Sequence, residues 1–468
     1  MSEVAVVWFR RDFRLTDHHA LHQVEKWCEQ FDGKWVGFFH LDPYFAEELT
    51  PHHDYFFTTV AAFMDRMKQL GMPVVISYGT IDEAVDKLIE QVPEITTVFY
   101  NMDEVGRGCE RDKRAEQLFK QRKITTHPLL DAHLHRADDV LKKDGTPYQV
   151  YTPYYRAWRK EMKPKPFQVS IERLQHYYID QLNNDSESEQ KWEEVVRGCS
   201  SHWKGIGETA AQQRWKTFLS KSLHHYHHKR DIPEVDGTSL LSPYLKTGSI
   251  GIRQIWADLE AIQVDEAEDE GIETFRKELA WREFYQMVHS FNPTCKDEEI
   301  TEKYRHIEWE DDEEAFERWC EGRTGFPIVD AAMRQLKATG WMHNRLRMVT
   351  ASFLTKDLLI DWRKGERYFE KMLIDYDESS NIGGWQWAAS VGTDAVPYFR
   401  VFNPYRQSER FDPEGAFIRR YVAELKEIPA DWVHTPHKAG MFYLSSYPEP
   451  IVDHSLQRKR AIELFKQK

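Results

Sequence analysis

Over residues 1–130, short runs of β-branched and aromatic residues alternate with longer segments of helical period. That is the pattern of a parallel sheet covered by helices on both faces. The runs predict strands at 4–8, 35–41, 74–78, 97–100 and 124–130. Helices are predicted after Thr16 and Asp17, which read as caps, and near 54–70, 82–91 and 107–120. Ligands of such sheets sit beyond the carboxyl ends of the strands. No G-x-G-x-x-G follows the first strand, so the tight turn that brings a backbone onto a pyrophosphate is missing and a dinucleotide dehydrogenase is disfavoured. From 131 to 205 the periodicity weakens, and Pro147, Pro153, Pro164, Pro166 and the polar run 183–190 predict a long surface connector. Beyond 206 the chain reads as successive amphipathic helices broken at Gly and Pro. The expected architecture is a doubly wound, Rossmann-like α/β domain over 1–130, a linker over 131–205, and a large all-helical domain over 206–468.

Composition agrees with this division and removes several classes. A chain of 468 residues exceeds one ordinary core. Its apolar runs fall short of the ~20 residues of a membrane helix. The stretch 4–9 runs straight into Arg10 and Arg11, the wrong order for a signal peptide. Five scattered cysteines, at 28, 109, 199, 295 and 320, form no C-x-x-C pair. They predict a reducing cytoplasm with neither a disulfide framework nor a metal site. The run His224-His225-Tyr226-His227-His228 lacks a carboxylate or cysteine at ligand spacing and is read as non-metal. The net charge of -14 argues against a phosphate-rich partner, until its distribution is read. Residues 262–273 carry -6 and residues 297–321 carry -9, so the remainder is near neutral and the acidity is local.

Four segments carry chemistry. In Gly340-Trp341-Met342-His343-Asn344-Arg345-Leu346-Arg347-Met348, Asn344 and Met348 share a helix face, an amide beside a thioether that suits a flat heterocycle. Glu278 and Trp281, at i,i+3, present a carboxyl and an indole to one space, which suits stacking plus a hydrogen bond. In the stretch from Asp375 to Trp387, Trp385 and Trp387 lie ~200° apart on a helix and cannot serve one surface. Asp236-Gly237-Thr238-Ser239-Leu240-Leu241-Ser242-Pro243 supplies hydroxyls and backbone amides suited to a diphosphate, although Ser/Thr before Pro is also ordinary turn chemistry.

Taken together, Trp8-Phe9-Arg10-Arg11-Asp12-Phe13-Arg14-Leu15-Thr16-Asp17, the 341–348 motif and Asn381-Ile-Gly-Gly384-Trp385-Gln386-Trp387-Ala-Ala-Ser390-Val-Gly-Thr-Asp394 resemble the photolyase/cryptochrome family, in particular its class I cyclobutane pyrimidine dimer photolyases. The resemblance implies a light-dependent DNA-repair lyase: blue light excites fully reduced FAD, an electron passes to a flipped dimer, the ring opens and the electron returns. It implies that Tyr226 and Thr238, Ser239, Leu240, Leu241 and Ser242 hold the FAD phosphates. Asp375, Tyr376 and Asp377, with Arg282 and with Arg347 paired to Asp375, hold the rest of the cofactor, and Asn381 sits opposite flavin N5. Glu278 and Asn381 become the catalytic candidates. Glu278, Trp281, Asn344, Arg345, Met348 and Trp387 become the DNA contacts, and Trp309, Trp362 and Trp385 the electron-transfer triad. Asn344 after His343, where six-four photolyases carry a second histidine, favours the cyclobutane lesion. For an antenna, Cys295-Lys296 resembles the folate-contacting pair of methenyltetrahydrofolate-using members. The segment after Glu104 departs from their pattern, with Gly108 where they carry a glutamate, and Glu110 is the substitute expected.

The resemblance also covers light sensors acting through protein partners and an iron–sulfur branch. Asn381, together with helical sequence running to Phe465 without a tail, favours repair, and Cys295 and Cys320 alone cannot supply four cluster ligands. The expected partner is damaged DNA, bound by a monomer without metal or membrane. The 341–367 segment, with six bases to three acids, and Arg400, Arg406 and Arg410 are the expected phosphate-contacting rim.

Overall fold

The computed structural model describes residues 3–179, 182, 184–200, 202–262, 269–440 and 446–466. Part of the acidic run 262–273, namely 263–268, and Asn183 of the polar run lie outside these residues. Five parallel strands, β1 (Val4–Phe9), β2 (Lys34–Leu41), β3 (Val75–Tyr78), β4 (Ile95–Asn101) and β5 (Thr125–Leu129), lie in the order β3-β2-β1-β4-β5. The helices between them are α1 (His19–Phe31), α2 (Pro51–Gln69), α3 (Ile81–Gln91) and α4 (Gly106–Gln121). β1 is buried along its whole length because apolar clusters cover both faces of the sheet. The expected doubly wound α/β fold is therefore observed, within a few residues at each strand. The cap of α1 is a correction: His18, rather than Thr16 or Asp17, accepts the backbone N–H of Leu21 at 3.1 Å. Asp17 adopts φ +48 and accepts instead from Arg253 at 2.7 Å.

The expected linker is largely structured. It contains α5 (Tyr151–Trp158), α6 (Ile171–Tyr177) and α7 (Ser186–Gly198). Two of these finish the sheet. The carbonyl of Leu174 in α6 accepts the indole N–H of Trp35 at 2.9 Å. Asn184 and Ser188 accept the N–H groups of Ile76 and Tyr78 at 2.7 and 2.8 Å. β3 is an edge strand, and these side chains satisfy donors that would otherwise template pairing with another chain.

The chain divides into two compact units that are discontinuous in sequence: Met1–Leu141, Ala157–Ser220 and Ser239–Glu268, and Lys142–Arg156, Lys221–Thr238 and Asp269–Lys468. In the α/β unit, Asp131 accepts from Arg14 at 2.8 Å and from Arg253 at 2.6 Å. Burial alone would raise the Asp131 carboxyl, yet the two guanidinium groups hold it well below the usual carboxylate range. Arg253 lies on α9 (Ile252–Ala261), after α8 (Gly207–Lys221), so late residues close the same ion set as the first loop.

The second unit is helical. Its main elements are α10 (Glu270–Phe291), α11 (Pro327–Thr339), α12 (Asn344–Ser352), α13 (Trp362–Met372), α14 (Glu378–Ala389) and α15 (His454–Leu464). α14 packs against α10, α12 and α13, and shares one apolar cluster with the latter two. A π-helical turn, Phe353–Asp357, follows α12 and buries Lys356, whose Nζ donates to the carbonyl of Ala389 at 3.0 Å and ends α14. Burial holds that amine well below its ordinary pKa.

Candidate functional site

α10 places Glu278 and Trp281 three residues apart on one face. The Glu278 carboxylate is bound by Arg230, Nη1 to Oε1 at 2.5 Å, with both side chains partly exposed. Trp281 is half-buried among rings: Tyr151 lies parallel at 3.7 Å and 6°, Phe284 meets it edge-on at 5.5 Å, and Tyr285 tilts against it at 5.4 Å. Asn344 begins α12 exposed, with Met348 one turn on and half-buried. Arg345 pairs with Asp231 at 2.9 Å and stands over the Phe411 ring at 4.5 Å. Arg282 is half-buried on α10, and Trp387 is half-buried on α14, edge-on to Phe402 at 6.4 Å.

A second group surrounds the start of α14. Arg347 donates to both oxygens of Asp375, at 3.0 and 2.7 Å, and the Asp375 side chain is 2% exposed. Asp377 caps α14 by accepting the N–H of Ser380. Asn381 donates from Nδ2 to Glu366 Oε1 at 3.1 Å, and the Tyr376 hydroxyl donates to the same oxygen at 3.0 Å. Burial, then the charge of Glu370, pushes the Glu366 carboxyl up to about 7. In the folded protein Glu366 keeps its proton to about pH 7, whereas the unfolded chain releases it near 4.5. Its contribution to stability is therefore complete below the lower value and disappears as pH rises through the upper one. Glu366→Gln, which cannot ionise, should gain on wild type by as much as ~3 kcal/mol between these pH values. Urea titrations of both proteins across that range test this; parallel profiles would show an ordinary carboxyl.

The three triad candidates enter the same apolar cluster, Trp362 and Trp385 fully inside and Trp309 at its rim. Trp362 donates from Nε1 to Glu299 at 3.2 Å, and Trp385 meets the Phe369 ring edge-on at 5.0 Å. Gly365 makes room for Trp385: a Cβ there would lie 2.2 Å from its ring. Trp385 faces the core and Trp387 the exterior, which follows from their two-residue spacing.

For the diphosphate, Tyr226 is buried on its own unit. In the α/β unit, Leu240 takes φ +52 and Leu241 a right-handed conformation. A left-handed residue followed by a right-handed one is the backbone pattern of an anion nest. Ser239 Oγ accepts the N–H of Leu241 at 3.3 Å, and Ser242 opens the short helix Ser242–Lys246. Thr238 belongs to the helical unit.

The antenna candidates fare differently. Cys295 is 2% exposed and burial pushes its thiol up to about 12, so its sulfur is a core atom. Lys296 pairs with Glu370 at 3.1 Å and Glu378 at 3.6 Å. Glu110 is exposed on α4, in the other unit. Gly108 has a local cause: a Cβ would lie 2.4 Å from Asp103, whose carboxylate is held by Arg11 and Arg111, so the glutamate of the folate pattern does not fit. The expected basic rim at 341–367 is also corrected. Lys356 is buried, Arg345 and Arg347 are paired, Arg363 pairs with Glu299 and Lys364 with Asp311, so of the six bases only Arg367 is left exposed without a carboxylate partner among the described residues. Arg400, Arg406 and Arg410 are exposed and, among the described residues, carry no carboxylate partner. His224 and His227 pair with Asp269 and Glu270 at the start of α10. Among the described residues no three His, Cys, Asp or Glu side chains form a metal-holding group, and no helix is long and apolar enough to cross a membrane.

Arg230, Asp231, Glu366 and Tyr151 are site neighbours that sequence reasoning missed. None stands in a motif, and each meets its partner only in the folded chain. The one available signal was Arg230 closing a turn begun by Tyr226.

Comparison with known proteins follows the same division. Residues 5–172 match the family model described as DNA photolyase, and residues 275–467 match the FAD binding domain of DNA photolyase. A deoxyribodipyrimidine photo-lyase of Alkalihalophilus pseudofirmus is 52% identical over 473 residues, spanning 99% of this chain and 98% of its own. That of Escherichia coli is 35% identical over 480 residues, 98% of each chain. A bacterial class III photolyase from Agrobacterium tumefaciens superposes with TM-score 0.88 at 32% identity, over 99% of this chain and 97% of that one. With its α/β layer, its helical FAD-binding unit and full-length identity of this degree, the chain belongs to the DNA photolyase family.

Proposed function

We propose that this protein repairs cyclobutane pyrimidine dimers in DNA, using light absorbed by fully reduced FAD. The observation that carries the reading is the α10 face, where a carboxylate fixed by Arg230 stands one turn from a half-buried indole stacked on the Tyr151 ring. That pairing suits a flipped, crosslinked base pair, by stacking and one directed hydrogen bond. The similarity to deoxyribodipyrimidine photo-lyases supports the same substrate.

Within the helical unit the FAD would be held by Tyr226 and Thr238 at its phosphates, and by Asp375, Tyr376, Asp377, Asn381, Arg282 and Arg347 elsewhere. Bound and fully reduced, it supplies a photoexcitable one-electron donor. The protein's own part is placement and proton control. Arg230 holds the Glu278 carboxylate in one orientation, so that its oxygens can accept a hydrogen bond from a pyrimidine N–H. Asn381, its amide donating to Glu366, would have its carbonyl oxygen available to accept from the bound flavin. Trp281 and Trp387 bracket the extruded bases, with Asn344, Arg345 and Met348 lining the pocket, and Arg400, Arg406 and Arg410 meet flanking phosphates. Trp385, Trp362 and Trp309 would be the residues through which an external one-electron reductant in solution reaches the flavin when it is bound oxidised. Trp309→Phe should therefore slow photoreduction at least tenfold while repair by pre-reduced enzyme stays unchanged. Equal loss of both activities would refute the triad.

A folate antenna is the further part of this reading. It rests on Lys296 and predicts a near-ultraviolet band in the purified protein; a deazaflavin-like band nearer the blue would overturn it. For the function itself, the reduced protein is illuminated with blue light in the presence of a thymine-dimer oligonucleotide. Dimers that persist while the flavin is reduced and excited would sink the proposal.

A further inference from the structure

Resting on the dimer-repair reading, we infer that Tyr151 is a positioning residue of the substrate pocket: its ring fixes the plane of Trp281 and so sets affinity for the damaged base pair. Tyr151 lies in the segment that reads as connector and is assigned no part in the family motifs. In the fold it opens α5, within the helical unit. Its ring lies 3.7 Å from Trp281 at 6°, and no second ring among the described residues stacks parallel on that indole. Tyr151 is thus the ring that sets the plane of the half-buried indole.

The Tyr151 ring is itself immobilised on three sides. Its hydroxyl donates to the carbonyl of Lys277 at 2.6 Å, one turn before Trp281 on α10. Its backbone N–H donates to Asp394 Oδ2 at 3.1 Å, at the end of the motif that holds Trp385 and Trp387. Tyr155, one turn along α5, stacks on it at 6.0 Å and donates its own hydroxyl to Glu273 at 2.5 Å. A half-exposed tryptophan alone samples several χ2 orientations. Clamped between α10 and a phenol anchored at both ends, it presents one plane. Preorganisation of this kind raises affinity by removing the cost of ordering the ring on binding.

The test uses the full-length, FAD-loaded protein in the dark, with anisotropy of an oligonucleotide carrying a thymine dimer and of its undamaged counterpart. Tyr151→Leu should lower the damaged-to-undamaged affinity ratio about tenfold, and Tyr151→Phe should keep at least a third of it. In the Tyr151→Leu/Trp281→Leu double variant the ratio should fall no further than in Trp281→Leu alone. A wild-type ratio in Tyr151→Leu, or losses that add in the double variant, would overturn the assignment. If Tyr151→Leu loads no FAD, Tyr151→His carries the test, since it keeps a flat ring but gives up the Lys277 bond. A ratio between wild type and Trp281→Leu supports the role, and a wild-type ratio overturns it. Loss of the dimer pocket itself reads differently: Trp281→Leu alone would then leave the ratio unchanged.

Discussion

Exchanging Gly383 for alanine is expected to destabilise the helical unit and release FAD, although alanine is the better helix former. A Cβ at position 383 would lie 2.1, 2.5 and 2.7 Å from three carbons of the Tyr285 ring. The ring cannot retreat freely, because it already leans on Trp281. α10 and α14 would have to part by more than an ångström. The ~1 kcal/mol gained from helix propensity is then outweighed by overpacking of about 1–3 kcal/mol or more. Gly384 is the control. Nothing lies within 4 Å of a Cβ there, so Gly384→Ala should raise the melting temperature. Thermal unfolding of the two variants, with bound flavin measured by absorbance, decides the matter. If Gly383→Ala melted at or above wild type with full FAD, the helix contact would be looser than it stands here.

The second large effect is expected from Arg347→Met. Asp375 would remain buried without its counter-charge, a situation that costs about 3–5 kcal/mol when a buried pair is broken from one side. Because a quarter of the Arg347 side chain is exposed, the lower figure applies. At about 2–4 °C per kcal/mol for a unit of this size, the melting temperature should drop by roughly 6–12 °C. Removing both charges, in Arg347→Met/Asp375→Asn, should restore part of the loss because no uncompensated carboxylate is left. Losses that simply added would show that the two side chains act independently.

The parts of this fold that could be read from the sequence are those written in local pattern. The five strands declare themselves because both faces of the sheet are covered, leaving apolar runs such as Val74-Val75-Ile76 with no polar phase to confuse them. The segment 131–205 was misread for a physical reason. α6 and α7 are short and charged and bury only Leu174, Ser188 and Val195, with Ile171, Tyr177 and Trp192 at the edge of the core, so their apolar faces are narrow and prolines and polar residues dominate the segment's pattern.

The candidate site shows the same boundary. Glu278 with Trp281, and Trp385 with Trp387, follow from helical spacing alone. Arg230, Glu366 and Tyr151 do not, because each acts on a residue of another element and its own neighbours carry no periodic sign of it. Net charge misled in a related way. Most bases over 341–367 are buried or held by Asp231, Asp375, Glu299 and Asp311, leaving Arg367 exposed there, whereas Arg400, Arg406 and Arg410 all stand exposed.

The discontinuity of the two units bears on how the chain is made. Between residues 141 and 269 the backbone leaves one unit for the other five times. The sheet can assemble once β5 has left the ribosome, but Arg253, which closes on Asp17 and Asp131, is translated more than a hundred residues later. At 5–20 residues per second that delay is on the order of ten seconds. Through that interval Arg14 is the one guanidinium on Asp131, so the nascent α/β layer waits in a partly closed state. A gene fragment stopped at residue 205 would hold it there permanently.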